Sequence, residues 1–103
     1  MDSTFRDGRL YLERTDEERK PLLQRLNRIE GQVRGLRTMI EQDRHCLEEV
    51  QQVNAITAAM REVAIEIISQ HLKAGLILAA DERDGPEIMG DLASVIRAAL
   101  RQG

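Results

Sequence analysis

Leu22-Leu23-Gln24-Arg25-Leu26-Asn27-Arg28-Ile29-Glu30-Gly31-Gln32-Val33-Arg34-Gly35-Leu36 sets apolar residues at 22, 26, 29, 33 and 36, and Ile40 continues the series. Steps of 4, 3, 4, 3 and 4 keep these side chains on one stripe of a helix, the seam along which helices pack. Upstream, Thr15-Asp16-Glu17-Glu18 has the spacing of a capping box, with acids at the positive end of the helix dipole. A first helix is expected from there, with Pro21 either removing at most about one hydrogen bond so close to its start or itself marking the first turn. Gly31 and Gly35 lie inside this helix, where each costs roughly 1 kcal/mol relative to Ala. Close backbone approach by a neighbouring helix would offset that cost.

A second seam follows Asp43. Cys46, Val50, Val53, Thr57, Met60, Ala64, Ile67 and His71 step by 4 and 3 in alternation. Continued to about Ala80, the pattern predicts a helix about 50 Å long at 1.5 Å per residue. Leu47, Ile56, Val63 and Ile68 form an adjacent stripe. Beyond Gly85-Pro86, the residues Ile88, Met89, Leu92, Val95, Ile96, Ala99 and Leu100 give a shorter third helix its apolar face. Turn residues concentrate in the first ten positions, around Asp43 and over Asp81–Pro86. The expected fold is all-α: a three-helix protomer with one very long central helix, a single helical domain over 15–103 and a mobile tail over 1–14. Two shorter helices cannot cover such a central helix, so oligomerisation is expected.

Composition narrows the function. The 103 residues contain one Phe, one Tyr and no Trp, and both aromatics fall within the first eleven residues. A base-stacking platform for single-stranded nucleic acid is excluded. One cysteine excludes an internal disulfide and a metal cage built from several thiolates of one chain. The absence of an apolar leader or of 18 uninterrupted apolar residues predicts a soluble chain with no membrane partner, in the reducing cytoplasm. The net charge of −3 shows no basic character, yet it averages unlike segments. Residues 1–18 carry −3, residues 19–44 carry +4 and residues 45–103 carry −4. Arg25 and Arg28 flank the first seam on one side and Arg19 and Arg37 on the other, with Arg34 further round, and an oligomer would repeat them by symmetry as a surface for DNA phosphates. For one helix alone, the same arginines also read as a solvated face.

Cys46 and His71 share the second seam, 25 residues or about 38 Å of rise apart, so they cannot meet within one chain. If two copies of the helix pair antiparallel about a two-fold axis, Cys46 of one meets His71 of the other, and symmetry makes two equal sites. A thiolate and an imidazole together suit a thiophilic metal or a reactive thiol. Each residue also has an ordinary reading, Cys46 as a small packed hydrophobe and His71 as a satisfied seam residue.

The stretch Leu22–Leu36 with RIEGQVRGL, followed by Asp43-Arg44-His45-Cys46 and later by His71-Leu72-Lys73, resembles the copper-sensitive operon repressor (CsoR/RcnR) family over roughly residues 20–80. The resemblance implies an antiparallel four-helix-bundle dimer assembled as a dimer of dimers, a homotetramer that is no enzyme and has no helix-turn-helix. It also implies a transcriptional repressor that holds double-stranded operator DNA through basic residues of the first two helices, for which Arg25, Arg28, Arg34, Arg37 and Arg61, and then Lys73, are the candidates in this chain. An inducer between protomers, Cu(I) or another thiophilic metal or a thiol-reactive small molecule, would engage Cys46 and His71 from neighbouring chains, with His45 as a further candidate. Copper-sensing members place a second Cys four residues after the His, where this chain has Gly75. The nickel/cobalt branch uses additional His residues, the formaldehyde branch a Pro after the initiator Met, and the persulfide branch two cysteines per site; this chain has none of these. The competing reading is a helical oligomerisation or adaptor module with a structural, unliganded Cys46.

Overall fold

Thr15 and Glu18 close the reciprocal cap that their spacing predicts. The Thr15 N–H donates to Glu18 Oε1 at 2.9 Å, and the Glu18 N–H donates to Thr15 Oγ1 at 3.1 Å. In the computed structural model, which describes residues 1–81 and 85–101, helix α1 runs from there over Asp16–Glu41. Pro21 is accommodated within it. The helix ends where Asp43 adopts a left-handed φ of 52° and the Arg44 N–H donates to the Met39 carbonyl at 2.9 Å, a six-to-one closure of the last turn. Helix α2 covers Cys46–Asp81 and helix α3 covers Gly85–Leu100. The turn expected over Asp81–Pro86 lies partly outside the described residues.

Residues 1–14, expected as a tail without a helical period, contain regular structure. Strands β1 (Asp2–Arg6) and β2 (Arg9–Glu13) pair antiparallel, with Phe5 opposite Leu10 and Arg6 opposite Arg9. Asp7 and Gly8, at φ 52° and 75°, form the two-residue turn between them, the geometry that Asp-Gly favours. Alternation places Phe5, Leu10 and Leu12 on the packed face, while Arg6 lies 4.2 Å above the Tyr11 ring on the other. A search for helical periodicity passes over this period-two signal.

The chain divides into two compact units. One comprises Met1–Glu18 and Ala64–Gly103. Its core is Leu10, Ile88 and Leu92, against which Phe5, Leu12, Leu72 and Leu78 pack, and Ile88 is wholly buried. The other comprises Arg19–Val63, with Leu22, Ile29 and Val63 at its centre and Leu26, Ile56 and Ala59 around them. Gly35 is approached there by a side chain, not by the backbone of a neighbouring helix as expected. The Gln52 side chain crosses above it, 3.3 Å from where a Cβ would stand, and donates from Nε2 to the Gln32 carbonyl at 2.9 Å. Gly31 has no such neighbour and faces only the Arg34 side chain.

In the protomer α2 uses the stripe through Gln52, Ile56, Ala59 and Val63 to pack on α1. The seam through Cys46, Val50, Val53, Thr57, Met60, Ala64 and Ile67 stays exposed. Val33 and Ile40 on α1 are likewise left uncovered, at 46% and 58% exposure. By length and composition alone, Cys46–Ala80 is also long and apolar enough to cross a membrane. Arg61, Glu62, Glu66 and Lys73 nevertheless interrupt it with charge.

Candidate functional site

His45 and Cys46 stand at the junction where α1 ends and α2 begins. His45 is the cap residue of α2: its Nδ1 accepts the Leu47 N–H at 3.0 Å, and its carbonyl accepts those of Glu48 and Glu49. One ring nitrogen is thereby committed to the backbone. Cys46 is the first residue of α2, exposed and free of any disulfide. Beside it, Arg44 makes a two-pronged contact to Glu48, at 3.2 and 3.1 Å. That guanidinium holds the Glu48 carboxyl below the usual carboxylate range, chiefly through the hydrogen bonds and then through charge.

His71 lies in the other unit and is buried, at 9% exposure. Its Nε2 is 3.1 Å from Asp91 Oδ2 on α3. A carboxylate oxygen only accepts, so the bond places a proton on Nε2, and in the neutral imidazole Nδ1 is then the nitrogen that keeps its lone pair. The same Oδ2 accepts the Leu10 backbone N–H at 2.9 Å. One turn beyond His71, Gly75 is covered by Leu92: a Cβ there would meet Leu92 Cδ2 at 2.5 Å and Cδ1 at 3.0 Å. The position that the resemblance assigns to a third ligand is closed by packing.

Cys46 and His71 thus belong to one helix but to different units. Among the described residues no three His, Cys, Asp or Glu side chains gather as a metal cage. Asp91 and Leu10 were not singled out from sequence. Asp91 did carry a signal, because an acid three residues after Ile88 and one before Leu92 sits on the apolar face of α3 and requires partners there. Leu10 had none, since its contribution is a backbone N–H.

Arg25, Arg28, Arg34 and Arg37 are all exposed along α1, as is Arg61 on α2, and all five lie within the Arg19–Val63 unit. Lys73 is exposed on the other unit. An apolar cleft lined by Leu26, Ile29, Glu30, Val33 and Arg34 borders this basic face, with a volume of about 370 Å³.

Comparison with known proteins gives these features a context. A family model described as "Metal-sensitive transcriptional repressor" matches residues 18–98. The copper-sensing transcriptional repressor RicR of Mycobacterium tuberculosis is 42% identical over 77 residues, covering 75% of this chain and 79% of RicR. The copper-sensing transcriptional repressor CsoR of Bacillus subtilis is 34% identical over 84 residues, covering 82% and 83%. Among solved structures, the Cu(I)-bound CsoR of Geobacillus thermodenitrificans superposes with a TM-score of 0.78 at 36% identity, covering 85% of this chain and 92% of that one. The nickel-responsive regulator InrS superposes at 0.75 and 29% identity, covering 86% and 97%.

Proposed function

This chain belongs to the family of metal-sensitive transcriptional repressors, and we propose that it leaves double-stranded operator DNA when an inducer engages Cys46 of one protomer together with His71 of another. The family's members are repressors and not enzymes, in keeping with a site that offers one thiol and one imidazole.

The observation that carries the reading is the bare seam of α2. Cys46, Val50, Val53, Met60 and Ile67 remain exposed in the protomer, with the thiol at one end and His71 in register at the other. Apolar surface of this extent is ordinarily covered by a partner. An antiparallel pairing about a two-fold axis covers it and brings Cys46 to the partner copy's imidazole, twice per dimer. Two such dimers make the homotetramer, which repeats the +4 segment of residues 19–44 four times.

Thiolate and imidazole suit Cu(I), and the two residues fit it as a pair of donors, one from each chain. The third protein ligand of a Cys-His-Cys site has no room at residue 75. When bound, the metal supplies a cross-link between protomers. A thiol-reactive small molecule would act on the same Cys46. His45, with Nδ1 already capping α2, is left only Nε2 for any ligand role. Arg25, Arg28, Arg34, Arg37 and Arg61 carry the phosphate contacts, with Lys73 at the margin. Release follows if the liganded site and the DNA-bound tetramer favour different quaternary arrangements, the differential affinity that any allosteric effector requires. The protein acts in the cytoplasm, where its operator is.

The test is operator binding by anisotropy with a promoter fragment from its own locus at low salt, followed by Cu(I), Ni(II), Zn(II), formaldehyde and persulfide in turn. Binding that one of these reverses, and that Cys46→Ala renders irreversible, supports the reading. A tetramer that binds no such fragment contradicts it.

A further inference from the structure

The N-terminal hairpin lies outside the matched family region of residues 18–98, yet it reaches the imidazole of His71 through a single carboxylate oxygen. In its register Arg6 and Arg9 close the two-residue turn as the hydrogen-bonded pair, so the next pair, Phe5 and Leu10, is of the non-hydrogen-bonded kind. The Leu10 N–H therefore points away from β1, and it donates to Asp91 Oδ2 at 2.9 Å, the oxygen that also lies 3.1 Å from His71 Nε2. The Asp91 and His71 side chains are each only 11% exposed. In such surroundings a carboxylate is held where its donors are, because an unmet acceptor is costly.

Two further ties fix the hairpin at this place. The Leu10 side chain is buried with Ile88 and Leu92, on either side of Asp91. Arg14 Nε donates to Gln70 Oε1 at 2.6 Å, and Gln70 adjoins His71. Arg9, Tyr11 and Ser94 join His71 and Asp91 in lining a cleft of about 310 Å³, so the hairpin walls the space beside the imidazole.

We propose that the hairpin is a positioning element of the inducer site: the Leu10 N–H holds Asp91 on His71 Nε2 and thereby fixes which ring nitrogen His71 presents to an inducer. The inference rests on the reading of His71 as an inducer contact. Without the Leu10 N–H, Asp91 keeps one of its two donors and gains freedom to turn, and the preference for the Nε2–H tautomer weakens. Groups that orient a ligating His from behind commonly change metal affinity by about 10- to 100-fold.

The experiment uses the full chain with labelled histidine. Leu10→Pro removes the N–H, and Leu10→Ala keeps it while losing the packing. Ring nitrogen shifts at a pH where His71 is neutral report the tautomer without any metal. The expected result is a predominantly Nε2–H tautomer in the unaltered chain and in Leu10→Ala, and a mixed population in Leu10→Pro. Cu(I) affinity, measured by competition with a chelator, should fall about tenfold in Leu10→Pro relative to Leu10→Ala. An unchanged tautomer ratio in a folded Leu10→Pro overturns the proposal. Should that variant fail to fold, amide exchange in the unaltered chain decides. The Leu10 amide must exchange more slowly than that of Leu12, whose N–H points the same way, and must lose its protection in Asp91→Ala; equal rates overturn the proposal. If the unaltered chain binds no Cu(I), the copper reading fails, while the tautomer and exchange results still decide the role of the hairpin.

Discussion

Leu92 lies across Gly75, with its Cδ2 at 2.5 Å and its Cγ at 3.1 Å from where a Cβ on residue 75 would stand, and Leu92 is itself only 2% exposed. The whole branched end of the side chain would have to move to admit a cysteine. Gly75→Cys is therefore expected to destabilise the fold by about 1–3 kcal/mol, the usual cost of overpacking. It should not add a sulfur to the site. Gly75→Cys combined with Leu92→Ala opens the room and should raise the sulfur count around bound Cu(I) from one to two. X-ray absorption at the copper edge distinguishes these outcomes, and a second sulfur in the single variant would show that Leu92 is no barrier.

Val53 is exposed in the protomer, so Val53→Asp should leave the helical content and the folding of one chain nearly intact. In the assembly it would bury an unpaired charge at the seam, a strongly unfavourable change. Sedimentation equilibrium should show monomers in place of the oligomer. A Val53→Asp protein that remains a tetramer would remove the α2 seam as the interface.

The basic face predicts a particular salt dependence. Changing Arg25, Arg28, Arg34 or Arg37 singly to Ala should weaken operator binding and reduce the slope of log K against log salt by about 1 for each phosphate left without its arginine. The weakening should be similar for specific and unrelated DNA, because phosphate contacts position without reading sequence. Arginine variants with an unchanged slope would leave that face without a role in DNA binding.

The cap of α1 gives a pH prediction. The Thr15 backbone N–H is the main cause holding the Glu18 carboxyl below its ordinary range, and the Thr15 hydroxyl adds to it. A carboxylate with a lowered folded-state value contributes stability that is fully present above its unfolded value, about 4.3, and is lost as pH falls through the folded one. Circular dichroism should show the start of α1 fraying in that acidic window, and Glu18→Gln should flatten the dependence. At neutral pH, Thr15→Ala should cost about 1 kcal/mol by loss of the cap. A pH profile identical in Glu18→Gln would show that the cap does not depend on the charge.

What the sequence made legible follows the physics of each element. α1 was readable because Leu22, Leu26 and Ile29 repeat at helical spacing behind a capping box, and the box closes as its spacing implies. The long second helix was readable from its unbroken period, but which of its two stripes packs inside the protomer was not. Ile56 and Val63 do so, while the regular seam from Cys46 to Ile67 faces outward and His71 is buried. A heptad pattern says that a stripe is covered, not by which chain. The hairpin went unread because its signal alternates by two around Asp7-Gly8, within a stretch too short for a helical period. Spacing and resemblance single out Cys46 and His71 as candidates. The setting of His71 was not legible, because Asp91 lies 20 residues away and Leu10 acts through its backbone across 81 positions.

The central claim is that Cys46 and His71 act together only across chains, and a mixing experiment tests it most directly. Cys46→Ala and His71→Ala tetramers are each expected to bind no Cu(I) tightly. Unfolded together and refolded as a mixture, they form heterodimers in which one site has lost both ligands and the other keeps Cys46 from one chain and His71 from its partner. The account predicts that tight Cu(I) binding returns at one equivalent per heterodimer, with copper-dependent release from operator DNA. A refolded mixture that binds no more Cu(I) than its two components would contradict it.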